Sequence, residues 1–202
     1  MSVTPTERAR SVTADARRVQ IVAATIDVIA EEGFAQASFA RIAHRAGLSS
    51  TRLISYHFAG KDNLIAAVVQ HVVSAIGDAV GRRVHRESTA AGQLRAYIEG
   101  VVEFTDSHRR EMRTLLQVVL SGALPVGTGA DVAVPSHVES ILRQGQFDGE
   151  FRDFDPAVMA LAVQRCVEAL PFALESDPDL DCAAFGRELV TTFTLATRAD
   201  PS

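Results

Sequence analysis

Residues 38–64, SFARIAHRAGLSSTRLISYHFAGKDNL, hold two short apolar-periodic segments on either side of Gly47, followed by a Tyr-His-Phe cluster and a lone lysine. Ser38 is placed to accept from the free amides of an opening helical turn. Phe39, Ile42, Ala43 and Ala46 then share one helical face. Gly47 can take the left-handed conformation that ends a helix, and Leu48 fills the crook of the turn. Ser49 or Ser50 caps the next segment. There Leu53, Ile54 and Phe58 are expected to point inward, and Thr51, Arg52, Ser55, Tyr56 and His57 outward. The spacing predicts a helix-turn-helix whose second helix has the size of a DNA major groove.

Two amphipathic segments around a glycine occur in many helical proteins, so the chemistry of the outward face has to discriminate. That face is short, polar and hydrogen-bonding, with one arginine. Between Arg41 and Lys61 there is no acidic residue, whereas a merely solvated face usually mixes in Glu or Asp. A surface pressed against phosphates needs this bias.

The run from Arg18 to Leu64 resembles the tetracycline-repressor (TetR) family of bacterial transcriptional regulators. The resemblance rests on RVQIVAATIDVIAEEGF, then SFARIAHRAGLSS, then the ending I-S-Y-H-F-x-x-K-D-x-L at Ile54–Leu64. Two features depart from the commonest family pattern. Gly47-Leu48-Ser49-Ser50 has one residue more before Ile54, so either the turn is longer or the second helix starts at Ser50. Ala40 stands where many relatives carry an arginine. The resemblance implies an all-α fold with a three-helix DNA-binding head and a helical body. It further implies that the body encloses a small-molecule pocket whose occupation respaces the two heads of a dimer.

Composition is compatible. The chain has 202 residues, 47% of them hydrophobic, enough for a full core. No run of eighteen apolar residues occurs and the amino terminus lacks an apolar h-region, so secretion and membrane insertion are not expected and a cytoplasmic protein is. Cys166 and Cys182 are too isolated for a disulfide framework or a zinc site, and read as reduced thiols. The net charge of −5 divides unevenly: residues 1–64 carry eight basic against six acidic side chains, the remainder twelve against nineteen. The positive end is the helix-turn-helix.

Residues 1–14 are polar and are expected to form a flexible arm, 15–62 the DNA-binding domain, and 63–202 the ligand-binding and dimerisation domain. Val22, Ile26 and Ile29 form the inner stripe of the opening helix, which Gly33 ends, with Phe34 as a plug. From about 61 to 85 a long helix repeats Leu64, Val68, Val72, Ile76 and Val80. Further helical periods run to about Ser107 and to about Gly122. GALPVGTGADVAVPS then breaks the pattern, a short helix is expected from Ser136, and Asp155-Pro156 opens the next. Residues 156–174 are apolar almost all round. They and residues 179–198 are expected to pair with a second copy as a four-helix interface.

The candidate DNA-binding residues are Ser38, Arg41, Ser49, Ser50, Thr51, Arg52, Ser55, Tyr56, His57 and Lys61. Arg52 is the foremost base reader, because a guanidinium can bond guanine O6 and N7 together, with a phosphate contact as its alternative. Ser38, Ser50, Tyr56 and Lys61 are candidates for backbone positioning, as matching positions serve in relatives. His57 can instead pack against Phe34. The candidate ligand pocket takes Tyr97, Phe104, His108, Met112, Leu116, Met159, Val163 and Phe172, with Gln164 and Arg165 as further polar groups. The expected partners are a double-stranded DNA operator, an unidentified small apolar effector and a second copy of the chain, with no cofactor and no metal.

The rival from another class is a helical enzyme. Among six histidines there is no H-x-x-x-H or E-x-x-H, and no G-x-S-x-G occurs, so no enzymatic activity is expected. A helical interaction module that has lost DNA binding is the other alternative, for which Ala40 and the lengthened turn leave room.

Overall fold

A computed structural model of the chain describes residues 5–123 and 130–199, and the side chains of 14–123 and 137–199. Its order is α1 (Pro5–Glu32), a 3-10 turn (Phe34–Gln36), α2 (Phe39–Arg45), α3 (Arg52–His57), α4 (Lys61–Val84), α5 (Ala90–Ser107), α6 (Arg109–Leu120), α7 (Ala130–Phe147), α8 (Pro156–Ser176) and α9 (Cys182–Thr197). The backbone is helical from Pro5, well before the expected start at Asp15. Of the segment expected as an arm, residues 1–4 lie outside the described residues, as do the side chains of Arg8 and Arg10. Residues 124–129 of the glycine- and proline-rich stretch also lie outside them. The helix expected from Ser136 begins already at Ala130.

The chain divides into two compact units, and the division falls between Val72 and Val73, inside α4 rather than at its start. The first unit also takes in α6 from Arg110 onward, which the sequence had assigned to the body. In this unit α1 buries Ile21, Val22, Ile26 and Ile29, and α4 buries Leu64, Ile65, Val68 and Val69. Gly33 ends α1 at φ 91°, its amide donating to the Ile29 carbonyl at 2.9 Å. The membership of α6 has a polar basis. The buried Thr114 hydroxyl donates to the Ile26 carbonyl at 3.1 Å, and Arg110 reaches Asp27 at 3.4 Å and Glu31 at 3.7 Å. Val119, near the end of α6, is 45% exposed.

The second unit is built around Leu94, Tyr97 and Ile98 of α5, Val138, Ile141 and Leu142 of α7, Ala160, Val163 and Val167 of α8, and Phe193 of α9. The loop after α7 organises it. Glu150 accepts from the Ala90 amide at 3.1 Å and the Ala91 amide at 2.9 Å, a carboxylate set on the free amides that begin α5. Thr89 caps the same turn by accepting from Gly92 at 3.0 Å. A Cβ at Gly145 would run into the Phe151 ring, so only glycine lets that ring close on α7. Asp155 caps α8 ahead of Pro156, as expected, and Asp181 caps α9.

By length and composition α4 and α8 are long and apolar enough to cross a membrane. Here each turns a stripe inward, Leu64, Val68 and Val72 on one, Ala160, Val163 and Val167 on the other.

Candidate nucleic-acid interface

Two short helices and the turn between them form the site, and each boundary has a local cause. Ser38 caps α2, its hydroxyl accepting from the Arg41 amide at 3.4 Å. At the other end Gly47 takes φ 62°. Its amide donates to the His44 carbonyl at 3.1 Å, and the Leu48 amide reaches back to Ala43 at 2.8 Å. This paired closure satisfies carbonyls that the helix end leaves free, and it requires a left-handed residue where Gly47 stands. The turn then runs on through Thr51. Ser50 is the capping side chain of α3, accepting from the Arg52 amide at 3.1 Å. The extra residue therefore lengthens the turn, and the second helix begins at Arg52.

With only six residues, α3 has little inward surface. Ile54 and the following Phe58 are buried, whereas Leu53, expected inward, is 36% exposed. Ser49, Ser50, Thr51, Arg52 and Ser55 are all exposed, and Tyr56 stands 81% clear of the protein. The Arg52 guanidinium has no carboxylate partner among the described residues. His57 is half-buried and meets Tyr56 edge-on, ring centroids 5.1 Å apart. Phe34 lies under the Lys61 ammonium, 4.6 Å from the ring centre, so Lys61 is held beside α3 by a cation–π contact.

Arg41 differs from the other candidates: it is paired with Glu32 at the end of α1. Arg45 joins the same cluster, 2.7 Å from Glu31 and 3.7 Å from Glu32. Its hydrogen bond holds the Glu31 carboxyl below the ordinary range, and Glu31 in turn raises Arg45. These two arginines are thus committed to fastening α2 to α1.

Two residues that the sequence did not single out also fasten the motif. Gln20 of α1 donates its side-chain amide to the Ala46 carbonyl at the end of α2, at 2.6 Å. Arg18 donates to the His57 carbonyl at the end of α3, also at 2.6 Å, with its guanidinium 4.5 Å from the centre of the Phe58 ring. Their spacing along α1 carried no signal of this, since residues two apart on a helix do not face the same way.

The residues expected to line a ligand pocket are divided. Met112 and Leu116 lie on α6 in the first unit, the other six in the second. Tyr97, Met159 and Val163 share the core of that unit. Phe104 is buried under His108, the rings stacked 4.0 Å apart, while Phe172 is 49% exposed. The Tyr97 hydroxyl donates to Gln164, which donates to Glu168 at 2.6 Å, and Glu168 also receives Arg165 at 2.6 Å. Burial pushes the Tyr97 phenol far above its usual range. A separate groove of about 300 Å³ between α5 and α9 is lined by Glu99, Glu103, Asp106, Cys182 and Arg187 among others, and includes none of the eight. Arg109, 2.6 Å from Asp106, holds that carboxyl low, and burial raises the Cys182 thiol.

Residues 21–68 match the family described as bacterial regulatory proteins, tetR family. The HTH-type transcriptional regulator BetI 1 of Chromohalobacter salexigens is 37% identical over 101 residues, half of each chain. BetI of Ectopseudomonas mendocina is 41% identical over 93 residues, 45% of this chain and 46% of that one. The chain thus spans about half the length of the curated relatives it matches. Among solved structures, a regulator from Saccharomonospora viridis in complex with choline is similar at TM-score 0.79 and 20% identity, over 91% of this chain and 98% of that one. AibR, in complex with isovaleryl coenzyme A and operator DNA, is similar at TM-score 0.74 and 18% identity, over 87% and 97%. These likenesses extend the fold over nearly the whole chain.

Proposed function

We propose, from the match of residues 21–68 to the tetR family of bacterial regulatory proteins, that the chain is a DNA-binding transcriptional regulator, a repressor that acts as a homodimer on a palindromic operator. The observation that carries the proposal is the outward face of α3: Thr51, Arg52, Ser55 and Tyr56 are exposed together, in a stretch with no acidic residue between Arg41 and Lys61. Arg52 and Tyr56 enter the major groove, Ser38, Ser50 and Lys61 hold the backbone, and His57 supports Tyr56 from the side. Arg41 contributes through its hold on α1 rather than through a base.

The dimer is supported by what α8 and α9 leave uncovered. Val158, Leu161 and Phe172 on α8 are 64%, 48% and 49% exposed, and Leu195 on α9 is 60% exposed. Apolar side chains this open on two neighbouring helices suit an isologous interface with a second copy. Two heads related by a two-fold axis then address two half-sites. A small effector, bound by the apolar body around Tyr97, Met159 and Val163, favours the state with the wrong head spacing and releases DNA. Relatives of this fold hold choline in one case and isovaleryl coenzyme A in another. For this chain the effector we propose is small and largely apolar, and the protein is cytoplasmic.

The test is binding of the full chain to labelled DNA flanking its own gene across a salt series. Log affinity should fall linearly with log salt, by about 0.9 for each phosphate contacted. Weak binding that ignores salt would overturn the proposal.

A further inference from the structure

We infer that Arg18 is a positioning residue for operator recognition: it sets the orientation of α3 from behind, through the His57 carbonyl and the Phe58 ring, without itself reading DNA. The inference rests on the DNA-binding function proposed above.

A six-residue helix cannot fix its own direction. It leaves its terminal carbonyls without intrahelical partners, and so short a segment is unstable unless tertiary contacts hold it. The two helices of the motif are held differently. From α1, α2 receives Gln20 at its end, while Arg41 and Arg45 reach back to Glu32 and Glu31. Among the described residues, one side-chain hydrogen bond reaches α3 from another helix, that of Arg18 at 2.6 Å. Apolar anchorage is correspondingly thin, since Ile54 is buried but Leu53 is not. Ile54 is the one buried side chain within the helix, and with Phe58 just past its end it resists rotation about the helix axis only weakly. A second attachment at the helix end removes the remaining freedom. Arg18 makes this attachment with two different chemistries, a charge-assisted bond to the last carbonyl and a cation–π contact with the residue that closes the helix. Rotation of α3 would swing Arg52 and Tyr56 off their bases while leaving the positive charge of the head unchanged, so the loss falls on specificity.

The experiment compares the full chain with Arg18→Met, which keeps the stem but removes the donor, and with Arg18→Lys, which keeps a charged donor without the planar fork. The probes are the duplex that the unaltered protein enriches from a randomised pool and an unrelated duplex of equal length. Hydrogen exchange of the α3 amides, read without DNA, accompanies them, with the α1 amides as the folding control. Arg18→Met should weaken the enriched duplex about tenfold, the scale of one base contact, leave the unrelated duplex and the salt slope unchanged, and speed exchange in α3 alone. Arg18→Lys should recover part of both losses. The inference is overturned if affinity for the two duplexes falls together and the salt slope drops by about 1, which marks a direct phosphate contact. It is also overturned if α3 exchange does not change. If the unaltered protein enriches no duplex, DNA recognition fails as a function, and the exchange comparison alone still decides whether Arg18 orients α3.

Discussion

At Arg52 the guanidinium stands clear of every carboxylate among the described residues, while Arg41 and Arg45, a few residues earlier, are both committed to glutamates. A cation left without a partner on an exposed face is available to an incoming base or phosphate. Arg52→Ala should therefore weaken binding to the preferred duplex by about 1–3 kcal/mol and relax the preference at one position, as measured by competition among single-base variants. A uniform loss over all sequences would assign it to phosphate instead. Tyr97 shows the opposite environment. Its buried phenol resists ionisation, so it stabilises the fold fully below the unfolded value near 10. That stabilisation is lost as pH climbs from there through the higher folded value. Comparing stability between pH 9 and about 11, Tyr97→Phe should flatten the alkaline decline relative to the unaltered chain. An identical decline in both would place its cause elsewhere.

Elements depend here on capping groups that lie far away in sequence. Glu150 holds the first amides of α5 from the loop after α7, so Glu150→Ala should cost about 1–2 kcal/mol in thermal or denaturant unfolding of the body while the α3 amides keep their protection. No measurable change would mean that Thr89 alone suffices as a cap. The same distinction between near and far explains what could be read from the sequence. The closure at Gly47, the cap at Ser38 and the Asp155-Pro156 start were legible because each depends on a residue's own conformational preference. Leu53 was misjudged because a helix of six residues does not complete the arc that periodicity assumes. The early start of α7 was hidden by glycine and proline, which usually break a helix. The place of α6 with the head was illegible because a helical period shows which face is buried, not what covers it. Arg18 and Gln20 were missed for a related reason: a polar side chain does not reveal which distant carbonyl it will meet.

For the whole molecule, the exposed apolar side chains of α8 carry the prediction of assembly. Leu161→Glu would place a charge on each side of a two-fold interface, where an unpaired buried charge costs about 3 kcal/mol or more. Sedimentation should show a shift from dimer to monomer, with little change in the unfolding of the protomer, since Leu161 is 48% exposed there. DNA binding should fall with it, because one head alone covers a single half-site. A dimer that persists would move the interface off this face. The decisive measurement is a hydroxyl-radical footprint of the full chain on the DNA flanking its own gene. Two protected patches, related by a dyad and centred on successive major-groove faces, are expected if paired α3 helices lie in the groove. Protection of a single patch, or none distinguishable from unrelated DNA, would contradict it.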